Sequence, residues 1–329
     1  MATRYPPTDY LYSTARIRAV ENRLIGKDIL FSLFEKTSVM EVARALSAYG
    51  LPLHTTAEGD VDTEAMLGEY LEKGTRTLLE SIPDTSLLYP LQYPYDCHNI
   101  KSYLKATLRG LDAAPFLIEA GSVPTKTLLN ALQSGDLSCL PTHLREAVGV
   151  AKETYAKTKE PKDMDIVLDA AAFADMEKAC ADFPFGKAVL AKKADVTNIQ
   201  MVHRLTTYGN KYLASAVFER AMVTGGTLTR ECFLPVFEDD VPLKEVLRPT
   251  AYAHLFAKSP SPAKLEKLGE DTVMWEAKKA LHVSFGAEVP YAYYMALQTS
   301  AQNLRLLFAA KRAGLDSTAF RERVRDNYV

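Results

Sequence analysis

Three asparagines standing in one register constrain the fold of this chain more than any other feature. Asp96-Cys-His-Asn99-Ile100-Lys101 runs on for eight residues and meets Gly110. Asp195-Val-Thr-Asn198-Ile199-Gln200 runs on for the same eight and meets Gly209. Ser300-Ala-Gln-Asn303-Leu304-Arg305 does so again, meeting Gly314. The pattern [Asp/Ser]-x-x-Asn-[Ile/Leu]-[Lys/Gln/Arg]-x8-Gly therefore recurs at separations of 99 and 105 residues. Only seven asparagines occur in the chain, so three in one register favour a triplicated unit over the plainer reading that any helix starts near Asp and stops at Gly. A period near 100 exceeds the roughly 20–50 residues of solenoid repeats, so the repeated unit is a small domain. Divisions are expected at 1–115, 116–222 and 223–329, packed as one body.

The unit is helical. Ile100, Tyr103, Leu104, Thr107 and Leu108 follow the first asparagine at i, i+3, i+4, i+7 and i+8, one face of a helix. The closing glycine suits a left-handed helix C-cap, and the leading Asp or Ser suits an N-cap. In the third copy the helix begins earlier, near Pro290, which leaves its asparagine free to hydrogen-bond between helices. Elsewhere Asp9 to Ile25 carries a helical stripe, and Ser38-Val39-Met40-Glu41 reads as a capping box. Gly50 and Pro52 end the helix that follows it. Further helices are expected over about 63–82, 97–109, 126–134, 142–157, 164–181, 196–222, 242–256, 262–283 and 289–312. Breaks fall at His54–Asp62, Ile82–Tyr95, Lys157–Asp163, Thr224–Thr229 and Ser259–Ala263. No strand alternation stands out, and the fold class is all-α.

Composition narrows the function. The chain is 329 residues long, 47% hydrophobic, with 39 basic against 41 acidic residues, a net charge of −2. That balance offers no broad basic field to nucleic acid. No window approaches the roughly 20 apolar residues of a membrane-spanning helix, and a secretory signal is not expected at Met1–Tyr12. Cys97, Cys139, Cys180 and Cys232 are isolated, without metal or disulfide spacing, and read as buried or half-buried packing residues in a reducing compartment.

A search for chemistry finds none that is specific. Gly26-Lys27-Asp28 and Gly186-Lys187-Ala188 lack the Ser/Thr and upstream glycine of a phosphate-binding loop. Asp165 and Asp169 share a helix face at i, i+4, as in the acidic motifs of magnesium-dependent prenyl synthases. That reading needs a matching motif, and Glu238-Asp239-Asp240 reads instead as a helix start favoured by negative charge. His54, His98, His143, His203, His254 and His282 show no metal spacing. Tyr291, Tyr293 and Tyr294 read as packing. No catalytic residue, cofactor site or metal site is expected. The candidate residues are the repeat signature itself: Asp96, Asn99, Gly110, Asp195, Asn198, Gly209, Ser300, Asn303 and Gly314.

Three stretches together resemble one family. Tyr10-x-Tyr12-x-x-Ala15-Arg16-Ile17-Arg18-Ala19-x-Glu21 looks like the opening of the C-subunit family of V-type/A-type ATPases (ATP synthases), equivalent to the eukaryotic d subunit. Asp96-x-x-Asn99-Ile100-Lys101 and Asp195-x-x-Asn198-Ile199 are similar to its repeated motif, although Gln200 departs from Lys101. Gln302-Asn303-Leu304-Arg305 and the stretch Arg321 to Val329 resemble its ending. The resemblance implies a funnel of three helical domains around a pseudo-threefold axis, present once per complex. It implies a non-catalytic central-stalk rotor part joining the central shaft subunits to the membrane rotor ring. Such a part is peripheral on the cytoplasmic side and not inserted in the membrane. An all-helical prenyl synthase-like enzyme is the alternative, and an unrelated helical scaffold a third reading.

Overall fold

The computed structural model describes residues 4–208 and 211–328, without the side chains of 208, 211 and 212. Among the described residues the structure is all-α, and its only β pairing is an isolated bridge between Thr55 and Val61. In chain order the helices are α1 (Leu11–Val20), α2 (Lys27–Phe34), α3 (Val39–Leu46), α4 (Thr63–Leu79) and α5 (Tyr89–Leu108). Next come α6 (Thr125–Ser134), α7 (Thr142–Thr158), α8 (Pro161–Ala179), α9 (Pro184–Tyr208) and α10 (Lys211–Ala221). The remainder are α11 (Arg230–Glu238), α12 (Leu243–Leu247), α13 (Pro262–Ala277), α14 (Glu288–Arg312) and α15 (Ser317–Arg323).

Helix ends follow local chemistry. Ser38 Oγ accepts from Glu41 N at 3.2 Å, while Glu41 Oε2 reaches back to Thr37 N at 3.0 Å, one residue beyond the usual capping-box partner. Asp62 and Asp316 cap α4 and α15 in the same manner, accepting from Ala65 N and Ala319 N. Helix α5 starts eight residues before its expected position: Pro90 sits in its first turn, where a missing N–H costs nothing, and Pro94 lies inside. The expected helix over 196–222 is two, α9 and α10, with α9 beginning at Pro184. Of the stretch 242–256, only α12 and a 3-10 turn at Ala253–Phe256 are helical. Glu238-Asp239-Asp240 is not a helix start. It closes α11, with Glu238 the last helical residue, Asp239 the C-cap and Asp240 in the left-handed region at φ 56°.

The chain divides into two compact units, Met1–Thr85 with His254–Val329, and Ser86–Ala253. In the first, α14 is the hub against which α1, α2, α3, α4, α13 and α15 pack. Its Tyr291, Tyr293 and Tyr294 are all buried, and the first half of the helix is enclosed all round, whereas Gln302, Arg305 and Ala309 form an exposed face further on. Gly74 of α4 lets that helix close on Leu297 of α14, since a Cβ there would overlap the leucine side chain. In the second unit, α8 packs between α5 and α7 on one hand and α9 and α10 on the other. Met164, Leu168 and Ala172 of α8 join a core with Ile100, Leu104, Leu128 and Leu144. Phe173, Met176 and Cys180 join another with Leu190, Ala194 and Val223.

Candidate functional site

The signature residues lie in the middle of long helices, not at their starts. Asp96 and Asn99 are on α5, Asp195 and Asn198 on α9, and Ser300 and Asn303 on α14, and all six are completely buried. The N-cap reading of the leading Asp or Ser is thereby corrected: each has seven or more helical residues before it, so no free first-turn amide is in reach.

What the asparagines bind is a peptide group. Asn99 Oδ1 accepts from Ile118 N at 2.8 Å while its Nδ2 donates to Ile118 O at 2.9 Å. Asn198 makes the same pair with Val223, both bonds at 3.0 Å. Asn303 makes it with Arg325, at 2.9 and 3.1 Å. A carboxamide carries one acceptor and donors in the geometry of a backbone amide, so it pairs with the N–H and C=O of one residue as a neighbouring strand would. At the gripped residue the returning segment has no strand or helix of its own, and this clamp satisfies its backbone N–H and C=O.

The leading residue holds the same segment a few residues further on. Asp96 accepts from Ser122 N at 3.0 Å, Ser122 Oγ at 2.5 Å and Val123 N at 3.2 Å. Asp195 accepts from Thr227 N at 3.0 Å, Thr227 Oγ1 at 2.5 Å, Leu228 N at 2.8 Å and Tyr252 Oη at 2.6 Å. Ser300 Oγ accepts from Asn327 Nδ2 at 2.6 Å. Burial pushes the Asp96 carboxyl above its usual value, and the donors from Ser122 and Val123 oppose that push. The sequence reading missed the complementary half of the pattern, Gly121-Ser122-Val123 and Gly226-Thr227-Leu228. At both glycines a Cβ would overlap the carboxylate oxygen of Asp96 or Asp195. Gly-[Ser/Thr]-apolar follows at 25 residues after Asp96 and at 31 after Asp195, a spacing pattern visible in two of the three stretches.

The closing glycines end their helices. Gly110 and Gly314 have φ of +65° and +64°, and the amides of Leu111 and Leu315 reach back to Ala106 O and Ala310 O at 2.9 and 3.0 Å. Gly209 lies outside the described residues. Of the third variable position, Lys101 pairs with Asp169 of α8 at 2.5 Å and Arg305 with Glu64 of α4 at 2.9 Å.

The acidic pair Asp165 and Asp169 is taken up by lysines. Lys105 Nζ lies 2.7 Å from Asp165 and Lys101 Nζ 2.5 Å from Asp169, two i, i+4 pairs facing across α5 and α8. Cys97 lies beside them, its thiol pushed up to about 12 by burial and by Asp169 against the opposing pull of Lys101. Among the described residues no group of three His, Cys, Asp or Glu side chains is placed to hold a metal ion. His143 serves structure: Asp175 of α8 accepts from its ring nitrogen Nδ1 at 2.7 Å, from its backbone N at 3.1 Å and from Leu144 N at 2.8 Å, capping α7. Cys97 and Cys180 are buried and Cys232 half-buried, but Cys139 is exposed, against expectation.

In the first unit a second network holds the segment around Arg325. Asp326 lies 2.9 Å from Lys27 and 3.1 Å from Lys278, and accepts from Trp275 Nε1 at 2.9 Å. Burial acts to raise the Asp326 carboxyl, but hydrogen bonds from Lys27 and Lys278 outweigh it and hold the group below its usual value. Arg325 pairs with Glu270, whose carboxyl is raised by burial against the pull of that guanidinium. A cleft in the second unit is lined by Leu205, Ala214, Val236, Phe237 and Leu243, with Asp240 at its edge. Thr206 also lines it, and its described lining brings together no convergent set of reactive groups.

No described helix is long and apolar enough to cross a membrane. A family model described as the ATP synthase (C/AC39) subunit matches residues 13–323. No curated protein matches the chain.

Proposed function

The chain belongs to the ATP synthase (C/AC39) subunit family, and from that membership we propose that it is the central-stalk rotor subunit of a V/A-type rotary ATPase. It joins the central shaft subunits to the membrane rotor ring, one copy per complex, so that ATP turnover and ion movement elsewhere stay coupled. The reading makes it non-catalytic and peripheral, on the cytoplasmic side of the membrane. The observation that supports it most is the family match over nearly the whole chain. The recurrent Asp/Ser–Asn clamp agrees with it, because a part on a rotation axis is built economically from copies of one unit. We take Asp96, Asn99, Gly110, Asp195, Asn198, Gly209, Ser300, Asn303 and Gly314 as the signature of that triplication. Three copies, divided near 115/116 and 222/223, would close around a pseudo-threefold axis as a funnel. Its working principle is shape and many shared contacts that transmit torque, without a reactive group.

Native mass spectrometry of the chain mixed with the shaft subunits and the detergent-solubilised ring tests the proposal. A complex of one copy with shaft and ring is expected. Absence of a complex with either would sink it.

A further inference from the structure

Each signature helix is followed by a connector that leads to its clamp, and two of the three connectors bury an aromatic ring beneath a helix bearing two phenylalanines. Phe320 of α15 stacks on Phe34 with ring centroids 4.3 Å apart and meets Phe31 edge-on at 6.3 Å, both from α2. Phe218 of α10 lies 5.6 Å from Phe233 and 5.1 Å from Phe237, both from α11. Phe320 and Phe218 are each fully buried. Offset and edge-on rings of this kind add to the stabilisation that burial alone provides.

The connector after α5 begins like the third one: Gly110-Leu111-Asp112-x-x-x-Phe116 parallels Gly314-Leu315-Asp316-x-x-x-Phe320. It is three residues shorter, with Gly110 and the clamped Ile118 eight apart where Gly314 and Arg325 are eleven apart. The helix seen in the other connectors shrinks here to a 3-10 turn at Ala114–Phe116. The helix that follows this clamp, α6, has leucines in place of the phenylalanine pair. Its Leu128 and Leu132 are committed to the core with Ile100 and Leu104. Phe116 and Leu111 are consequently each 53% exposed, flanked by the exposed Leu108 and Ile118. At the rim, Arg109 is exposed and forms no ion pair among the described residues.

Four large apolar side chains bare within eleven residues mark an interaction surface rather than scattered exposure. We propose that the connector 108–118 is the seat of an amphipathic helix from another subunit of the rotary complex. That helix bears two aromatic or large apolar side chains one turn apart, and an acidic residue facing Arg109. It supplies in trans what α2 and α11 supply within the chain for Phe320 and Phe218. Protein is the partner that the parallel indicates, because in both other connectors the matching ring is packed by a helix; Asp112, exposed beside Arg109, offers that helix an acceptor as well. The proposal rests on the stalk assignment.

The test compares the wild-type chain with Phe116→Asp, Arg109→Glu and, as a control at an exposed position elsewhere, Val150→Asp. Each is added to the rotary complex stripped of this subunit, and incorporation is followed together with hydrogen–deuterium exchange of segment 106–119. Expected are slowed exchange of that segment on assembly, at least a ten-fold loss of incorporation for Phe116→Asp, a smaller loss for Arg109→Glu, and none for Val150→Asp. Melting temperatures should match wild type, because Phe116 and Arg109 are exposed; should Phe116→Asp misfold, Phe116→Ser is read in its place. Normal incorporation of a folded Phe116 variant would overturn this inference and leave the stalk assignment standing. Failure of the wild-type chain to incorporate would overturn both. Binding to vesicles of phosphatidylcholine and phosphatidylglycerol without other subunits, lost in Phe116→Asp, would overturn the protein partner in favour of a lipid surface.

Discussion

Replacing Asn198 by leucine removes both hydrogen bonds that hold the Val223 peptide group, at a site with no solvent access. Each backbone group left unmet in the interior costs about 1–3 kcal/mol, so the pair costs about 2–6 kcal/mol. Leucine adds apolar surface at the same place, which offsets about 1 kcal/mol, and a net loss of about 3 kcal/mol is expected. For a cooperative unit the size of Ser86–Ala253, that corresponds to a fall in Tm of roughly 6–12 °C. The assay is thermal and urea unfolding followed by far-ultraviolet circular dichroism, with Asn130→Leu as the control. Asn130 is exposed on α6, and its replacement should stay within about 0.5 kcal/mol of wild type. Equal transitions for the Asn198 and Asn130 variants would refute the reasoning, since they would mean that the peptide group finds another partner at no cost.

Three further outcomes follow from the same geometry. Gly226→Ala and Gly121→Ala should each destabilise by about 1–3 kcal/mol, because the new methyl displaces a buried carboxylate. Gly68→Ala, in open space inside α4, should instead stabilise by about 0.5–1 kcal/mol; denaturant midpoints decide both. Asp326 is held below its unfolded value, so its contribution is present above the unfolded pKa of about 3.9 and is lost as pH falls through the folded value. The stability gap between wild type and Asp326→Asn should therefore be open at pH 7 and close on acidification, as read by urea midpoints at successive pH values. The Asp165→Ala and Asp169→Ala variants should lose only about 0.5 kcal/mol each by unfolding, because each carboxylate is a partly exposed partner of a lysine. Magnesium-dependent release of diphosphate from an allylic diphosphate should be absent in wild type as well, and activity abolished by both substitutions would restore the enzyme reading.

How much is legible in the sequence depends on what each residue bonds to. The register of Asn99, Asn198 and Asn303 is visible because a buried carboxamide pairing with a peptide group leaves little choice of residue. The glycine ends are visible for a similar reason, since Gly110 and Gly314 occupy the left-handed region. The role of Asp96 is not, because an aspartate before an apolar stripe looks like a cap. Only the position of α5 shows that its partners, Ser122 and Val123, are 26 and 27 residues away. Short helices also escape the pattern. With eight or nine residues, α2 and α11 barely complete two periods, and α11 contains Pro235. The Lys101–Asp169 and Lys105–Asp165 ladder needs the pairing of α5 with α8, which periodicity alone does not specify.

The clamp has a consequence for how such a chain can change. Because the carboxamide engages only the main-chain atoms of its target, the side chain at the gripped position takes no part in the grip: isoleucine at 118, valine at 223 and arginine at 325 are held alike. Each loop is therefore at liberty to differ in sequence, length and charge while its anchorage survives. One grip can thus carry three differently dressed surfaces without the helices that bear it being rebuilt each time.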